Sequence, residues 1–149
     1  MRQGRIEQND TPEEIYRRPA TGYVADFVGA ANVVAVHTGG QQDIAAPLSV
    51  TLAGAPLEVT ATSPLTPGEA VLIARPEDLR LSRETGRPNT LPGTICRKQY
   101  LGSRTSYRVR PSAGPEIAVD LHGPDHTGFR EGEAVSVVFD AGKTLVAPR

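Results

Sequence analysis

Two histidines and a carboxylate fall close together in the segment His122-Gly123-Pro124-Asp125-His126. Imidazole and carboxylate groups are common transition-metal ligands, so this cluster could hold a metal ion. The Gly-Pro pair excludes the regular helix that would bring the imidazoles of His122 and His126 together, and no third or fourth ligand lies nearby in the sequence. We therefore interpret the segment as a polar loop between two strands and expect no metal site.

A second candidate is Gly142-Lys143-Thr144, which matches the last three residues of a phosphate-binding loop. A complete loop of that kind would need a glycine at Val137, and it would lie between a strand and a helix rather than between two strands. We interpret the segment as a hairpin turn. Because the other phosphate-handling elements are also missing, we expect no catalytic residues, no bound cofactor and no ATP hydrolysis by this chain.

A basic run without an acidic residue extends over residues 97–110. It contains five cations and two tyrosines that could stack on the bases of single-stranded nucleic acid: Arg97, Lys98, Arg104, Arg108 and Arg110, with Tyr100 and Tyr107. The whole chain is slightly acidic, and Tyr107 falls among the apolar residues of its strand, so a solvated face is favoured. Nucleic-acid binding is kept as the less favoured alternative, and no nucleic acid is expected as a partner.

The same region could instead donate hydrogen bonds to a small oxyanion. Lys98, Ser103 and Thr105 lie around a glycine turn, although such spacing is common and unspecific. Two further features have structural interpretations. Cys96 is expected to be an inert buried thiol, because no histidine or acid is placed beside it in the sequence. Glu77 and Asp78 are expected to cap a turn and to pair with neighbouring arginines at the surface.

The composition fits one domain with an appendage. The chain has 149 residues, with Gly 15, Pro 13 and 38% hydrophobic residues, which favours short strands and many turns. The formal net charge of −1 gives no general attraction to nucleic acid or to an anionic membrane. A single cysteine and the lack of a membrane-spanning apolar run predict a cytoplasmic location.

Alternation of apolar and polar residues dominates the chain from Val33 onward. The alternation recurs at short intervals between Gly and Pro turns, and Val71-Leu72-Ile73-Ala74 is a continuous apolar run typical of a strand covered on both faces. About nine or ten short strands are expected, and they should close into a small barrel because open sheet edges invite aggregation.

The first part of the chain has a different pattern. Thr11 and Glu14 form a capping box with Pro12 at the first helical position, and Pro19 ends that helix. A second short helix should end at Gly29. A glycine turn ahead of them suggests a hairpin from an absent sheet. We thus expect a truncated hairpin and two short helices over residues 1–31, followed by an all-β domain over residues 32–149.

These patterns resemble the C-terminal regulatory (TOBE/MOP-like) domain of the ATP-binding subunit of an ABC importer. The residues that carry the resemblance are Thr11, Pro12, Glu14, Tyr16, Pro19, Phe27, Gly29, Asn32, Arg75, Pro76, Glu77, Asp78 and Gly102. The resemblance implies an OB-like TOBE barrel, while residues 1–31 would close the nucleotide-binding domain of the parent subunit. It also implies a regulatory and dimerisation role without an ATPase site in this fragment, with Mg-ATP bound by the parent.

The same resemblance names the expected partners. They are a second copy of the chain, the nucleotide-binding domain of the same subunit and the membrane permease subunits, and the complex would lie at the inner face of the cell membrane. Polyamine, ferric iron, phosphonate and sugar importers all belong to the family type. An oxyanion-sensing barrel is the alternative function that the resemblance supports.

Overall fold

The structure is a computed structural model that describes residues 31–40 and 48–148. These residues form ten strands: β1 (Asn32–Thr38), β2 (Leu48–Leu52), β3 (Ala55–Ala61), β4 (Gly68–Ala74), β5 (Arg80–Ser82), β6 (Thr90–Tyr100), β7 (Arg104–Pro111), β8 (Ile117–His122), β9 (Ala134–Val138) and β10 (Leu145–Pro148). A 3-10 helix over Pro76–Asp78 separates β4 from β5. The all-β fold class is therefore confirmed.

The expected hairpin and the two expected helices lie outside the described residues. So do the first residues that carry the family resemblance, namely Thr11, Pro12, Glu14, Tyr16, Pro19, Phe27 and Gly29. The domain boundary after residue 31 stays a prediction.

The strands are divided between two five-stranded sheets, whereas the sequence pattern led us to expect one barrel. The first sheet has the order β1-β4-β10-β3-β2, and the second has the order β5-β9-β6-β7-β8. In each sheet the two outermost strands approach each other, so each sheet curls toward an OB-like closed barrel. The sheets thereby limit their open edges, as the aggregation argument requires.

Each sheet takes its fifth strand from the other half of the chain. Strand β5 follows β4 in sequence but pairs with β9, and β10 follows β9 but lies between β3 and β4. The molecule therefore consists of two similar five-stranded units that exchange their last strands. Residues 68–71 and 132–135 both read Gly-Glu-Ala-Val, and each copy leads into the fourth strand of its unit.

Strand β4 is buried on both faces, as its continuous apolar run predicted. Leu72 and Ala74 belong to the main core, while Val71 and Ile73 pack with Ala147 of β10 in a second cluster on the opposite face. Val146 and Ala147 of β10 are both 0% exposed. Burial of a valine side chain stabilises the fold by about 1.5–3 kcal/mol, so the exchanged strand contributes strongly to the unit that receives it.

Two asparagines tie the units together at matching places. The Asn32 side chain accepts a hydrogen bond from the Ala118 backbone N–H at 2.8 Å and donates to the Ala118 and Ala74 carbonyls at 2.9 and 3.1 Å. Asn89, which precedes β6, accepts from the Glu58 N–H at 2.6 Å and donates to the Glu58 carbonyl at 3.2 Å. Each amide thus joins the start of one unit to the third strand of the other.

The Asn32 side chain gives a direct test of this connection. Asn32→Asp keeps the acceptor for Ala118 but removes both donated bonds and buries a carboxylate against two carbonyl oxygens. We expect a loss of about 2–4 kcal/mol in the free energy of unfolding, measured by urea denaturation.

The matched control is Gln99→Glu, the same amide-to-carboxylate change at an exposed position of β6, which should change stability by less than about 0.5 kcal/mol. Equal effects of the two substitutions would contradict a role for Asn32 in joining the units.

Candidate functional site

The segment Arg75-Pro76-Glu77-Asp78, which contributes to the family resemblance, forms the crossover from the first sheet to the second. Arg75 and Pro76 are buried, and the turn is closed by the Asp78 N–H, which donates to the Arg75 carbonyl at 3.0 Å. The 3-10 helix lies against β8. This motif therefore positions β5 in the other unit, which is a structural role.

The segment Gly142-Lys143-Thr144 belongs to the reverse crossover from β9 to β10. Its interpretation as a hairpin turn is wrong, because β9 and β10 belong to different sheets. The Gly142 N–H donates to the Asp140 carboxylate at 2.9 Å, and the N–H groups of Lys143 and Thr144 donate to the Asp140 carbonyl at 3.0 and 2.8 Å. The backbone donors that would cradle a phosphate are therefore already used within the turn.

The two crossovers contact each other through an ion pair. Lys143 Nζ lies 4.0 Å from a carboxylate oxygen of Asp78, so the cation of the Gly142-Lys143-Thr144 segment faces the other crossover. Burial raises the pKa of Asp78, and the Lys143 charge opposes that shift. Asp78 of the first crossover thus forms an ion pair with Lys143 of the reverse crossover.

The loop that contains His122 and His126 contacts the β6–β7 hairpin. His126 Nδ1 lies 2.7 Å from the Thr105 hydroxyl, and its ring stacks on Tyr100 at 5.8 Å between centroids. His122 is exposed at the end of β8. Within residues 31–40 and 48–148 no three metal-ligating side chains are grouped. Of the two histidines, His126 contacts the hairpin through Thr105 and Tyr100.

Tyr107 holds the loop that contains His126 from the core side, through its hydroxyl group. Its side chain is fully buried, and its hydroxyl donates to the His126 carbonyl at 2.6 Å and accepts from the Phe129 N–H at 3.4 Å. Burial raises the pKa of the Tyr107 phenol. The ring of Tyr107 therefore belongs to the core, as the alternation along its strand predicted, and it is not available as a stacking platform for bases.

The three residues that the sequence suggested as oxyanion donors, Lys98, Ser103 and Thr105, are not all available to a ligand, because Lys98 and Thr105 already have hydrogen-bond partners. Thr105 is 0% exposed and its hydroxyl is paired with His126. Lys98 Nζ donates to the Thr127 carbonyl at 2.7 Å and lies 5.9 Å from the Tyr107 ring centroid. Ser103 is exposed in the hairpin turn beside Gly102, whose φ of 86° requires glycine.

The basic run is partly neutralised by acids from β8 and the segment before it. Arg104 lies 4.0 Å from Asp120, and Arg110 lies 3.2 Å from Glu116. Tyr100 is 65% exposed at the end of the hairpin, which leaves it available for contact with a partner. The cations that remain on the outer face of the hairpin are Arg97 and Arg108.

Cys96 lies beside this basic surface and is only partly buried, whereas we expected a buried thiol from the sequence. Its thiol donates to the Glu116 carboxylate at 3.1 Å, a contact that the sequence did not indicate. Burial raises the pKa of the Cys96 thiol, and the neighbouring carboxylate raises it further. Both effects favour the protonated thiol over the thiolate, which is the nucleophilic form.

Relatives of the chain are import ATP-binding proteins. It is 36% identical over 98% of its length to the spermidine/putrescine import ATP-binding protein PotA of Rubrobacter xylanophilus, and it covers 39% of that protein. It is 33% identical over 98% of its length to PotA 1 of Pseudomonas aeruginosa, covering 40% of it. It is 32% identical over 80% of its length to the Fe(3+) ions import ATP-binding protein FbpC of Brucella abortus, covering 33% of it.

A solved structure shows the same fold. The cytoplasmic molybdate-binding protein ModG, in a form with molybdate bound, aligns with 79% of this chain and 96% of its own, with a TM-score of 0.66 and 18% sequence identity. This likeness confirms the OB-like architecture. Among the described residues no helix is long and apolar enough to cross a membrane.

The chain spans about two fifths of the length of the curated PotA relatives that it matches over nearly its full length. The model of the TOBE domain matches residues 72–146, which include both crossovers, the exchanged strand β5 and the first two residues of the exchanged strand β10. The chain therefore belongs to the TOBE domain family, in the form that occurs in import ATP-binding proteins.

Proposed function

We propose that the chain is the C-terminal regulatory and dimerisation domain of the ATP-binding subunit of an ABC-type importer. The observation that carries this proposal is the similarity along 98% of the chain to spermidine/putrescine import ATP-binding proteins. The geometry of the described residues supports a non-enzymatic role, because the backbone donors of Gly142-Lys143-Thr144 are used inside a crossover. ATP chemistry would belong to the parent subunit.

The partners follow from the same proposal. A second copy of the chain, the nucleotide-binding domain of the same subunit and the permease subunits would all contact this domain or its parent. The complex would lie on the cytoplasmic side of the cell membrane. The named relatives handle polyamines or ferric ions, and either class of substrate would be recognised elsewhere in such an importer.

The fold suits a domain that transmits a displacement. Because each unit holds the last strand of the other, a force applied to one sheet reaches the second through β5 and β10. The amide contacts of Asn32 and Asn89 oppose sliding between the units. A body of this kind moves as a whole, so binding at one end can change how the other end meets a partner.

Oxyanion sensing and nucleic-acid binding are less well supported. The likeness to ModG concerns the fold, and the donors Lys98 and Thr105 already have partners in this chain. Binding to single strands would use stacking rings on the basic face, where Tyr107 is buried and two of the arginines are paired with acids. Neither alternative therefore replaces the regulatory role.

The dimerisation role can be tested by sedimentation equilibrium of the full chain. We expect a homodimer at high micromolar concentration, because a closed two-fold contact lets one surface cover itself. Deletion of residues 1–29 distinguishes the contribution of this segment to the dimer interface from that of the strands. A dimer that is unchanged by the deletion would assign the interface to the strands. A strictly monomeric full chain under the same conditions would contradict the dimerisation role.

The lack of an ATP site can be tested by calorimetric titration with Mg-ATP. We expect no saturable heat at micromolar concentrations, because the turn donors are occupied by Asp140. Lys143→Ala should leave the titration unchanged and lower the free energy of unfolding by at most about 1 kcal/mol, since it removes one partly exposed ion pair. A saturable signal that Lys143→Ala abolishes would assign a nucleotide to the crossover.

A further inference from the structure

Two arginines lie directly opposite each other on the outer face of the β6–β7 hairpin. The register pairs Arg97 with Arg108, and both side chains are exposed. Cβ atoms of residues opposite each other in an antiparallel pair are about 5 Å apart, and like charges at that separation destabilise the sheet. The fold therefore maintains a local repulsion that an anion would relieve.

A β-bulge at Cys96 creates this pair. Ile95 pairs with Val109, but the next pair is Arg97 with Arg108, so Cys96 is the extra residue. Without the bulge Cys96 would lie opposite Arg108, and Arg97 would lie opposite the buried Tyr107. Bulges of this kind redirect side chains, often beside binding sites.

The bulge is held in place from the other side of β6. The Ile95 N–H donates to the Glu133 carbonyl at 3.0 Å, and the Ile95 carbonyl accepts from the Gly132 N–H at 2.7 Å. The Cys96 thiol is turned toward Glu116 and the Arg108 carbonyl. The position of Arg97 opposite Arg108 is therefore a fixed feature of the hairpin.

The neighbouring cations of the same face have acidic partners, whereas this pair does not. Arg104 and Arg110 pair with Asp120 and Glu116. In the described part of the chain, neither the Arg97 nor the Arg108 side chain has a hydrogen bond or an ion pair. Glu116 is close enough for the Arg108 charge to help lower its pKa, but its carboxylate is bonded to Cys96 and Arg110.

We infer that Arg97 and Arg108 form a binding site for a single tetrahedral oxyanion, either a free phosphate-type anion or a phosphate carried by a partner protein. Guanidinium groups present parallel N–H donors that match the oxygens of phosphate, and two of them can bind opposite edges of one group. The face is exposed, so water weakens the interaction and a dissociation constant on the order of 1 mM is expected for free phosphate. This site is independent of the proposed regulatory role and of the Lys98, Ser103 and Thr105 set.

One anionic group fits this surface better than a nucleic-acid strand. A strand would follow a row of unpaired cations, and the flanking arginines are already paired with carboxylates. A single pair of guanidinium groups satisfies one phosphate and leaves the next phosphate of a strand without a partner.

The test uses the full chain and inorganic phosphate, with sodium chloride at matched ionic strength as the reference. Phosphate at 10 mM should raise the melting temperature by about 3 °C relative to chloride. The guanidinium Nε–H signals of Arg97 and Arg108 should shift together and saturate in NMR spectra. Arg97→Gln and Arg108→Gln should each abolish the increase in melting temperature.

Two further measurements distinguish binding from a structural effect. Arg97→Gln in low salt without phosphate should raise the melting temperature, since it removes the repulsion across the strands, whereas loss of a structural contact would lower it. Arg104→Gln, which changes an arginine that has an acidic partner, should retain the phosphate effect. A phosphate effect that persists in Arg97→Gln, or signals that shift only with ionic strength, would overturn the inference.

The possible sources of the anion are distinguished by measuring the binding of two further probes, a phosphoserine peptide and a hexathymidine strand. Binding of phosphate and peptide with similar affinity would assign the site to a free anion. Tighter binding of the peptide, lost in Arg108→Gln, would assign it to a partner protein. Much tighter binding of hexathymidine with a steep salt dependence would contradict a site for a single anionic group.

Discussion

The exchange of the fifth strand between two similar units is the constraint on which the rest of the structure depends. Strand β10 fills the position between β3 and β4, and its Val146 and Ala147 are completely buried there. Its removal would expose the backbone donors and acceptors of two strands and open the core of the first unit. Since β5 has the corresponding place beside β9, neither half of the chain completes its own sheet.

The exchange also explains why the most recognisable motifs are not active sites. A strand can reach the other unit only through a crossover, and the two crossovers are the segments that contain Arg75-Pro76-Glu77-Asp78 and Gly142-Lys143-Thr144. Their polar groups satisfy tight turns and bridge the junction through Lys143 and Asp78. The residues that most resemble catalytic or ligand-binding motifs in the sequence therefore stabilise the connection between the units.

The local parts of the fold could be predicted because they depend on burial alone. Alternation along β7 correctly separates buried Thr105, Tyr107 and Val109 from the exposed arginines, and the apolar run correctly identifies β4 as covered on both faces. The division into two sheets depends on which strands pair over long distances, and alternation carries no information about that. The repeated Gly-Glu-Ala-Val and the asparagine at the start of each unit were the available signals, and they indicate duplication.

The candidate site was harder to predict for the same reason. Its determinants are a bulge at Cys96 and the pairing of Arg97 with Arg108, and one inserted residue in a register reverses which side chains face outward. The charge run was visible in the sequence, but its acidic partners Glu116 and Asp120 come from elsewhere in the chain. The distinction between paired and unpaired arginines therefore required the tertiary structure.

Native-state hydrogen exchange of the variant Val146→Ala would show whether the two units unfold together, because Val146 follows the second unit in sequence but packs in the first. We predict that amides of β4 and β9 lose the same protection, since the units unfold together when an exchanged strand is weakened. Loss of protection in β1, β3 and β4 with unchanged protection in β6, β7 and β9 would show two independently unfolding units, and it would contradict the coupling of the units by strand exchange.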